Sequence, residues 1–188
     1  MTSGPAIPTD RRPTPTVRFL PLSVPVLRAL VAGDRALASA LLGGQLSDFF
    51  VHESGWLWRI RLPQVLDDPA SAAWIARAAV NDAGAVVGFA GFHGPPDEVG
   101  MVEVGYSVEP AFRRQGYARA ILAALLQRAR EDPSVSTFRA TIAPDNLASL
   151  ATIAGFGFRE VGEQDDPEDG LEIIYEVSVQ PDEGQGPS

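Results

Sequence analysis

The stretch Val102-Glu103-Val104-Gly105-Tyr106-Ser107-Val108, followed by Arg113-Arg114-Gln115-Gly116-Tyr117-Ala118 and an apolar-periodic segment, constrains this chain more than any other feature. It reads as a strand, then a turn carrying two cations and a glycine, then the amino end of a helix. The first N–H groups of a helix have no intrahelical acceptor and carry partial positive charge. Gly116 lets a ligand approach the backbone closely, and Arg113 and Arg114 add fixed charge. Such a turn is suited to holding phosphate. A nucleotide-hydrolysing P-loop ends its glycine-rich run in Lys-Ser or Lys-Thr, and a dinucleotide fold spaces three glycines in fixed register. Neither pattern is present.

Side chains alternate along an extended strand, so Glu103, Gly105 and Ser107 share one face while Val102, Val104, Tyr106 and Val108 share the other. The second face reads as core. The first sets a carboxylate beside a missing side chain, which predicts free space next to an acid. An ordinary solvent-facing strand glutamate fits the same pattern. After the turn, Ile121, Leu122, Leu125 and Ala129 repeat at helical spacing and dock the helix on a sheet. Further on, Asn146 and Ser149 stand three residues apart on one stripe of a short helix. Leu147, Leu150, Ala151 and Ala154 are the expected apolar stripe beside them. Asp145 or Asn146 also suits a plain N-cap, and Ser149 a surface polar position.

A chain of 188 residues suits one domain with a full core. Its net charge of −9 argues against nucleic acid as the main ligand, which calls for a basic footprint. That charge suits a cationic partner, although it also serves solubility. All 15 basic residues are arginines, which we read as genomic base-composition bias. Without cysteine there is no disulfide framework and no thiolate nucleophile. Two histidines, His52 and His93, are too few to suggest a metal centre, and no metal is expected. No apolar run approaches the ~20 residues of a membrane span. The Pro-rich start lacks the apolar core of a signal peptide, so the expected compartment is the cytoplasm.

Residues 1–16 and 180–188 read as disordered ends around one domain over 17–179. Within it, the pattern predicts a strand at 17–22 and helices at 24–32 and 35–42. An irregular aromatic stretch over 45–69 comes next, then a hairpin of 74–80 and 85–92. Strand 99–108, helix 117–130, strand 138–142 and a helix from 146 to about 154 follow. A last hairpin, 158–162 with 171–179, closes the chain around an acidic loop at 163–169, which could steer a cation but more commonly is a solvated hairpin end. Phe49, His52, Trp56 and Trp58 are candidates for lining an acceptor pocket, although core packing is the commoner role for each aromatic. His93 is a minor candidate for either site or turn. Strands and helices in mixed alternation give an α+β, mixed α/β fold.

Arg-x-x-Gly-x-Ala between strand and helix resembles the acetyl-CoA pyrophosphate loop of the GNAT superfamily of N-acetyltransferases. Asn146-x-x-Ser149 and Gly157-Phe158 resemble that superfamily's next helix and its exit. The Glu-Val-Gly-Tyr strand is most similar to the branch of ribosomal-protein N-terminal acetyltransferases. The resemblance implies a mostly antiparallel mixed sheet flanked by helices, with acetyl-CoA in a cleft between the fourth and fifth strands. It implies that Arg113, Arg114, Gln115, Gly116, Tyr117 and Ala118 hold the pyrophosphate, and that the backbone of Tyr106, Ser107 and Val108 pairs with the pantetheine arm. Asn146 would bond that arm, Glu103 would act as general base, and Ser149 would stand near the sulfur as a possible acid. Many members carry a tyrosine one turn beyond that serine, where this chain has Ile153, so Ser149, Thr152 or water is left for that task. The expected activity is acetyl transfer to a primary amine, a protein N-terminus or a small molecule, by direct attack. A non-catalytic acetyl-CoA-binding sensor of the same fold is the alternative. A homodimer through the final hairpin is a possibility drawn from the superfamily alone.

Overall fold

The computed structural model describes residues 14–167 and 170–179. The expected terminal segments fall largely outside that range, as do two residues of the acidic loop. Seven strands, β1 (Arg18–Pro21), β2 (Arg77–Val80), β3 (Val86–Phe92), β4 (Met101–Val108), β5 (Thr137–Ile142), β6 (Arg159–Asp166) and β7 (Gly170–Ser178), form one sheet. Their order is β1-β2-β3-β4-β5-β7-β6. Every neighbouring pair is antiparallel except β4 and β5, which run parallel. A parallel pair needs a long crossover, and helix α4 (Tyr117–Glu131) supplies it.

Alternation along β2 sends Ala78 and Val80 to one face and Ala79 to the other, each into a different core. The first core is built with α1 (Val24–Val31), α2 (Arg35–Leu42) and α3 (Gly55–Asp67). The second is built with α4 and α5 (Leu147–Ile153). Ile121, Leu122, Leu125 and Ala129 are all buried in it, as their spacing predicts.

Residues 45–69 are not irregular. A short 3-10 turn at Asp48–Phe50 leads into α3, which runs for 13 residues through Pro63. Proline removes a donor inside a helix, and apolar residues lie all round this one, so no amphipathic stripe betrays it. Tertiary packing decides the matter. Trp58 is fully buried, stacks on Phe50 with ring centroids 6.1 Å apart and donates its indole N–H to the Phe50 carbonyl. The acidic loop is also shorter than expected, because Glu163–Asp166 pair with β7 as part of β6.

The stripe on α5 differs too. Leu147 is 72% exposed, Ala151 and Ala154 face solvent, and Thr152 and Ile153 are the buried residues. Seven residues are only two turns, and the helix is rolled so that a β-branched pair meets the core instead.

Candidate active site

The parallel pairing of β4 with β5 covers only Met101↔Thr137, Val102↔Phe138 and Glu103↔Arg139. Beyond Glu103, β4 continues beside β3 and β5 continues beside β7. The sheet therefore splits at Glu103, and the β4 edge from Gly105 to Val108 is left without a strand partner on that side. A cleft of about 390 Å³ fills the split, walled by Glu103, Gly105, Tyr106, Thr141, Asn146 and Ser149. The expected cleft between the fourth and fifth strands is this one.

Glu103 stands at its apex. The Thr141 hydroxyl donates to its carboxylate, and His93 Nδ1 lies 3.7 Å from Oε1. The space predicted beside Glu103 is not open, because a Cβ on Gly105 would come within 3.1 Å of His93 Nε2. The glycine makes room for the imidazole. Backbone hydrogen bonding sets the ring there: His93 N–H donates to the Glu103 carbonyl at 2.8 Å. From α3, Gln64 Nε2 and Arg61 Nη1 donate to the His93 carbonyl at 2.7 and 3.0 Å. Partial desolvation of the half-exposed ring pushes the His93 pKa down; Glu103 pulls it up less strongly, and Arg61 adds a smaller downward push. The imidazole is thereby favoured neutral and able to accept a proton.

Val108 leads through a 3-10 turn at Pro110–Phe112 into Arg113, whose Nε donates back to the Val108 carbonyl at 3.0 Å. Arg114 has φ +58° and Gly116 φ +88°. These two left-handed residues turn the chain so that Gly116 caps α4. Among the described residues, no protein acceptor takes the backbone N–H of Gln115, Gly116, Tyr117 or Ala118. Tyr117 anchors the helix end, accepting from Asn81 Nδ2 at 3.1 Å and packing edge-on against Phe112. The result is a groove of about 650 Å³ that runs from Arg113, Arg114, Gly116 and Ala118 along Tyr106–Val108 to Asn146 and Ser149. All the residues expected to hold a cofactor meet along it, except Gln115, whose side chain donates to the Ala111 carbonyl.

Asn146 is the N-cap of α5, with Oδ1 accepting from Ser149 N–H at 3.1 Å. Its Nδ2 remains to donate. Ile153 is buried and offers no proton. Tyr106, expected on the core face, only borders the core and turns its hydroxyl into the groove wall. That hydroxyl is buried and makes no hydrogen bond of normal geometry. Burial pushes its pKa up, opposed by the nearby hydroxyls of Thr152 and Ser149. Three hydroxyls thus converge where the groove meets the cleft.

Two residues important to this geometry carry no signal in the sequence. Arg119 reaches from α4 to α5, donating to the carbonyls of Thr152 at 3.0 Å and Ala154 at 2.7 Å while lying over the Phe156 ring. It holds the two helical walls of the groove together. Arg61 stands in a second cavity of about 760 Å³, with His93, Trp56, Phe49 and Ile60. This cavity shares Trp56, His93, Gly105, Tyr106 and Asn146 with the cleft. No group of His, Asp or Glu among the described residues is arranged to hold a metal ion.

A split sheet with a phosphate-suited helix end on one side and a carboxylate at the apex is the arrangement of an acyl-CoA-dependent transferase. Residues 27–159 match the family model described as Acetyltransferase (GNAT) domain, and the chain belongs to that family. An uncharacterized N-acetyltransferase of Bacillus subtilis strain 168, YjdG, is 38% identical over 73 residues. That match spans 39% of this chain and 44% of the relative, less than half of either. A phosphinothricin acetyltransferase from Sinorhizobium meliloti, solved in complex with acetyl-CoA, superposes with a TM-score of 0.56 at 19% identity, over 91% of this chain and 95% of that one. The ribosomal-protein-S5-alanine acetyltransferase from Vibrio fischeri gives 0.59 at 16% identity, over 94% and 98%. At such identities the likeness is one of fold. No described helix is long and apolar enough to cross a membrane.

Proposed function

We propose that the protein transfers the acetyl group of acetyl-CoA to a primary amine by direct attack within a ternary complex. One observation carries this reading: the sheet splits at Glu103, and the cleft its carboxylate lines shares Tyr106 and Asn146 with both the groove from the α4 N-terminus and the cavity holding Arg61. The groove fits the cofactor. Free N–H groups and Arg113 and Arg114 suit the pyrophosphate. The unpaired edge of Tyr106–Val108 suits an amide-bearing arm added like a strand, and Asn146 Nδ2 is left to donate to it.

The amine nitrogen bonds to the acetyl carbonyl carbon as the carbon–sulfur bond breaks. Glu103 accepts the proton that the ammonium must lose, with neutral His93 as the second acceptor beside it. Thr141 holds the carboxylate in place. The departing thiolate, with a thiol pKa of about 8.5, leaves unaided or takes a proton from Ser149, which Tyr106 and Thr152 back. Much of the rate comes from placing the reactants. The alternative of a non-catalytic sensor draws on the buried Ile153, whereas the Glu103–His93 pair and the three hydroxyls speak for chemistry. The likeness of the strand Glu103–Tyr106 to the ribosomal-protein acetyltransferase branch supports grouping the chain with it.

Calorimetric titration with acetyl-CoA, followed by a thiol-release assay over a panel of amines, tests the reading. We expect micromolar binding that Arg113→Ala with Arg114→Ala abolishes, and turnover that Glu103→Gln lowers. A folded protein that binds neither acetyl-CoA nor CoA overturns it.

A further inference from the structure

Arg61 is a cation without an anion. Arg35–Asp48, Arg139–Glu176 and the His93–Glu103 contact are ion pairs among the described residues, and none of them includes Arg61. Its Nη1 is committed to the His93 carbonyl and to Gln64 Oε1, at 3.0 and 2.9 Å, while Nε and Nη2 donate to no protein group among the described residues. Those atoms are not sealed in the protein interior, and Arg61 lines the cavity. Burial lowers the Arg61 pKa with no nearby carboxylate to offset it. A partly desolvated guanidinium calls for an anion, and its two-donor edge matches a carboxylate.

The rest of the cavity narrows the choice. Phe49, Leu57, Ile60 and Phe89 give it an apolar wall, and Trp56 and Ile60 remain more than half exposed at its margin. The other charged lining groups are Glu53, His93 and Arg113. Arg61 touches the His93 main chain, and the His93 ring touches Glu103, so the anion site and the proton acceptors are neighbours. A molecule that spans them must carry its amine and its acid close together.

We propose that the acceptor is a free α-amino acid with an apolar side chain, its carboxylate held by Arg61 and its amine presented to His93 and Glu103. This deepens the proposed function and rests on it. A polyamine would bring further cations toward Arg61, with Glu53 the one acid among the cavity's lining residues. A peptide N-terminus would bring an amide carbonyl where Arg61 asks for a carboxylate.

The test compares leucine and phenylalanine with leucinamide, phenylalaninamide, a leucine-led tripeptide and spermidine, with acetyl-CoA saturating. The amino acids should exceed their own amides at least tenfold in kcat/KM, as for loss of one charge-assisted pair. Arg61→Gln should reduce that preference to about twofold or less, and Arg61→Lys should restore part of it, both with normal melts and unchanged acetyl-CoA affinity. Amides, tripeptide or spermidine turned over as well as the acids by the unsubstituted protein would overturn the inference and leave the acetyltransferase reading standing. So would an acid preference that survives Arg61→Gln. Absence of acetyl-CoA binding removes both together. If acetyl-CoA binds but no amine reacts, leucine is titrated into the CoA-saturated protein: binding lost in Arg61→Gln supports the site, and no binding overturns it.

Discussion

Replacing Gly105 with alanine isolates the contact between β4 and the His93 imidazole. Gly105 lies opposite Gly91 in the β3–β4 ladder. Its new Cβ would stand 3.1 Å from His93 Nε2 and 3.5 Å from the neighbouring ring carbon. Carbon contacts are comfortable at about 3.5–4.0 Å, so the ring must retreat by roughly half an ångström. The His93 side chain is 51% exposed, which lets it swing outward without disturbing packed neighbours. Alanine also restricts the unfolded chain, a gain of about 0.4–1 kcal/mol. Crowding and entropy then nearly cancel, and stability should stay within about 1 kcal/mol of the starting protein. Turnover is more sensitive. A misplacement of about 1 Å can cost on the order of 100-fold, so half of it should cost roughly tenfold in kcat. Thiol release at saturating substrates, a thermal melt and an acetyl-CoA titration separate the effects. Gly105→Ala in a His93→Ala background should add little, because the displaced group is already gone. Full kcat with a normal melt in Gly105→Ala would refute the view that the seat of His93 matters to turnover.

Glu103→Gln should lower kcat by about 100-fold or more and leave acetyl-CoA affinity intact; unchanged turnover across pH would remove Glu103 from the base role. Tyr106→Phe deletes a buried hydroxyl that lacks a full hydrogen bond, so the melting temperature should hold or rise slightly, while kcat falls if that hydroxyl backs Ser149. Gly116→Ala puts a side chain at φ +88° and within 3.1 Å of Pro15, a strain of about 1 kcal/mol or more. It should weaken acetyl-CoA binding at least tenfold by tilting the N–H groups of the turn, and affinity within twofold of the original would count against their role. Because the folded-state pKa of His93 lies below its unfolded value of about 6.5, the unfolded chain takes up its proton first as pH falls. Stability therefore declines with falling pH from about 6.5 down to the folded pKa and then levels off for this group. Urea melts between pH 7.5 and 5 should show the decline, and His93→Gln should flatten it.

Local patterns determined much of this molecule. The strand at Glu103–Val108, the cationic turn at Arg113–Gly116 and the apolar period of α4 are set by residues close in sequence, and their physics is read without the rest of the chain. Asn146 as a cap and the end of that helix near residue 154 belong to the same class. What tertiary structure decided lies wherever distant segments meet. The helix α3 exists because Trp58 and Val65 find a core against β2 and β3, not because of any period around Pro63. Gly105 reads as empty space until the end of β3 brings His93 over it. Tyr106 reads as core until the splitting of β4 from β5 opens a groove beside its hydroxyl. Arg61 is one arginine among 15 until packing leaves it outside any of the ion pairs described above, in a cavity that shares His93 with the cleft of Glu103. Burial and pairing are properties of surroundings, so a charge acquires meaning only when the groups around it are known.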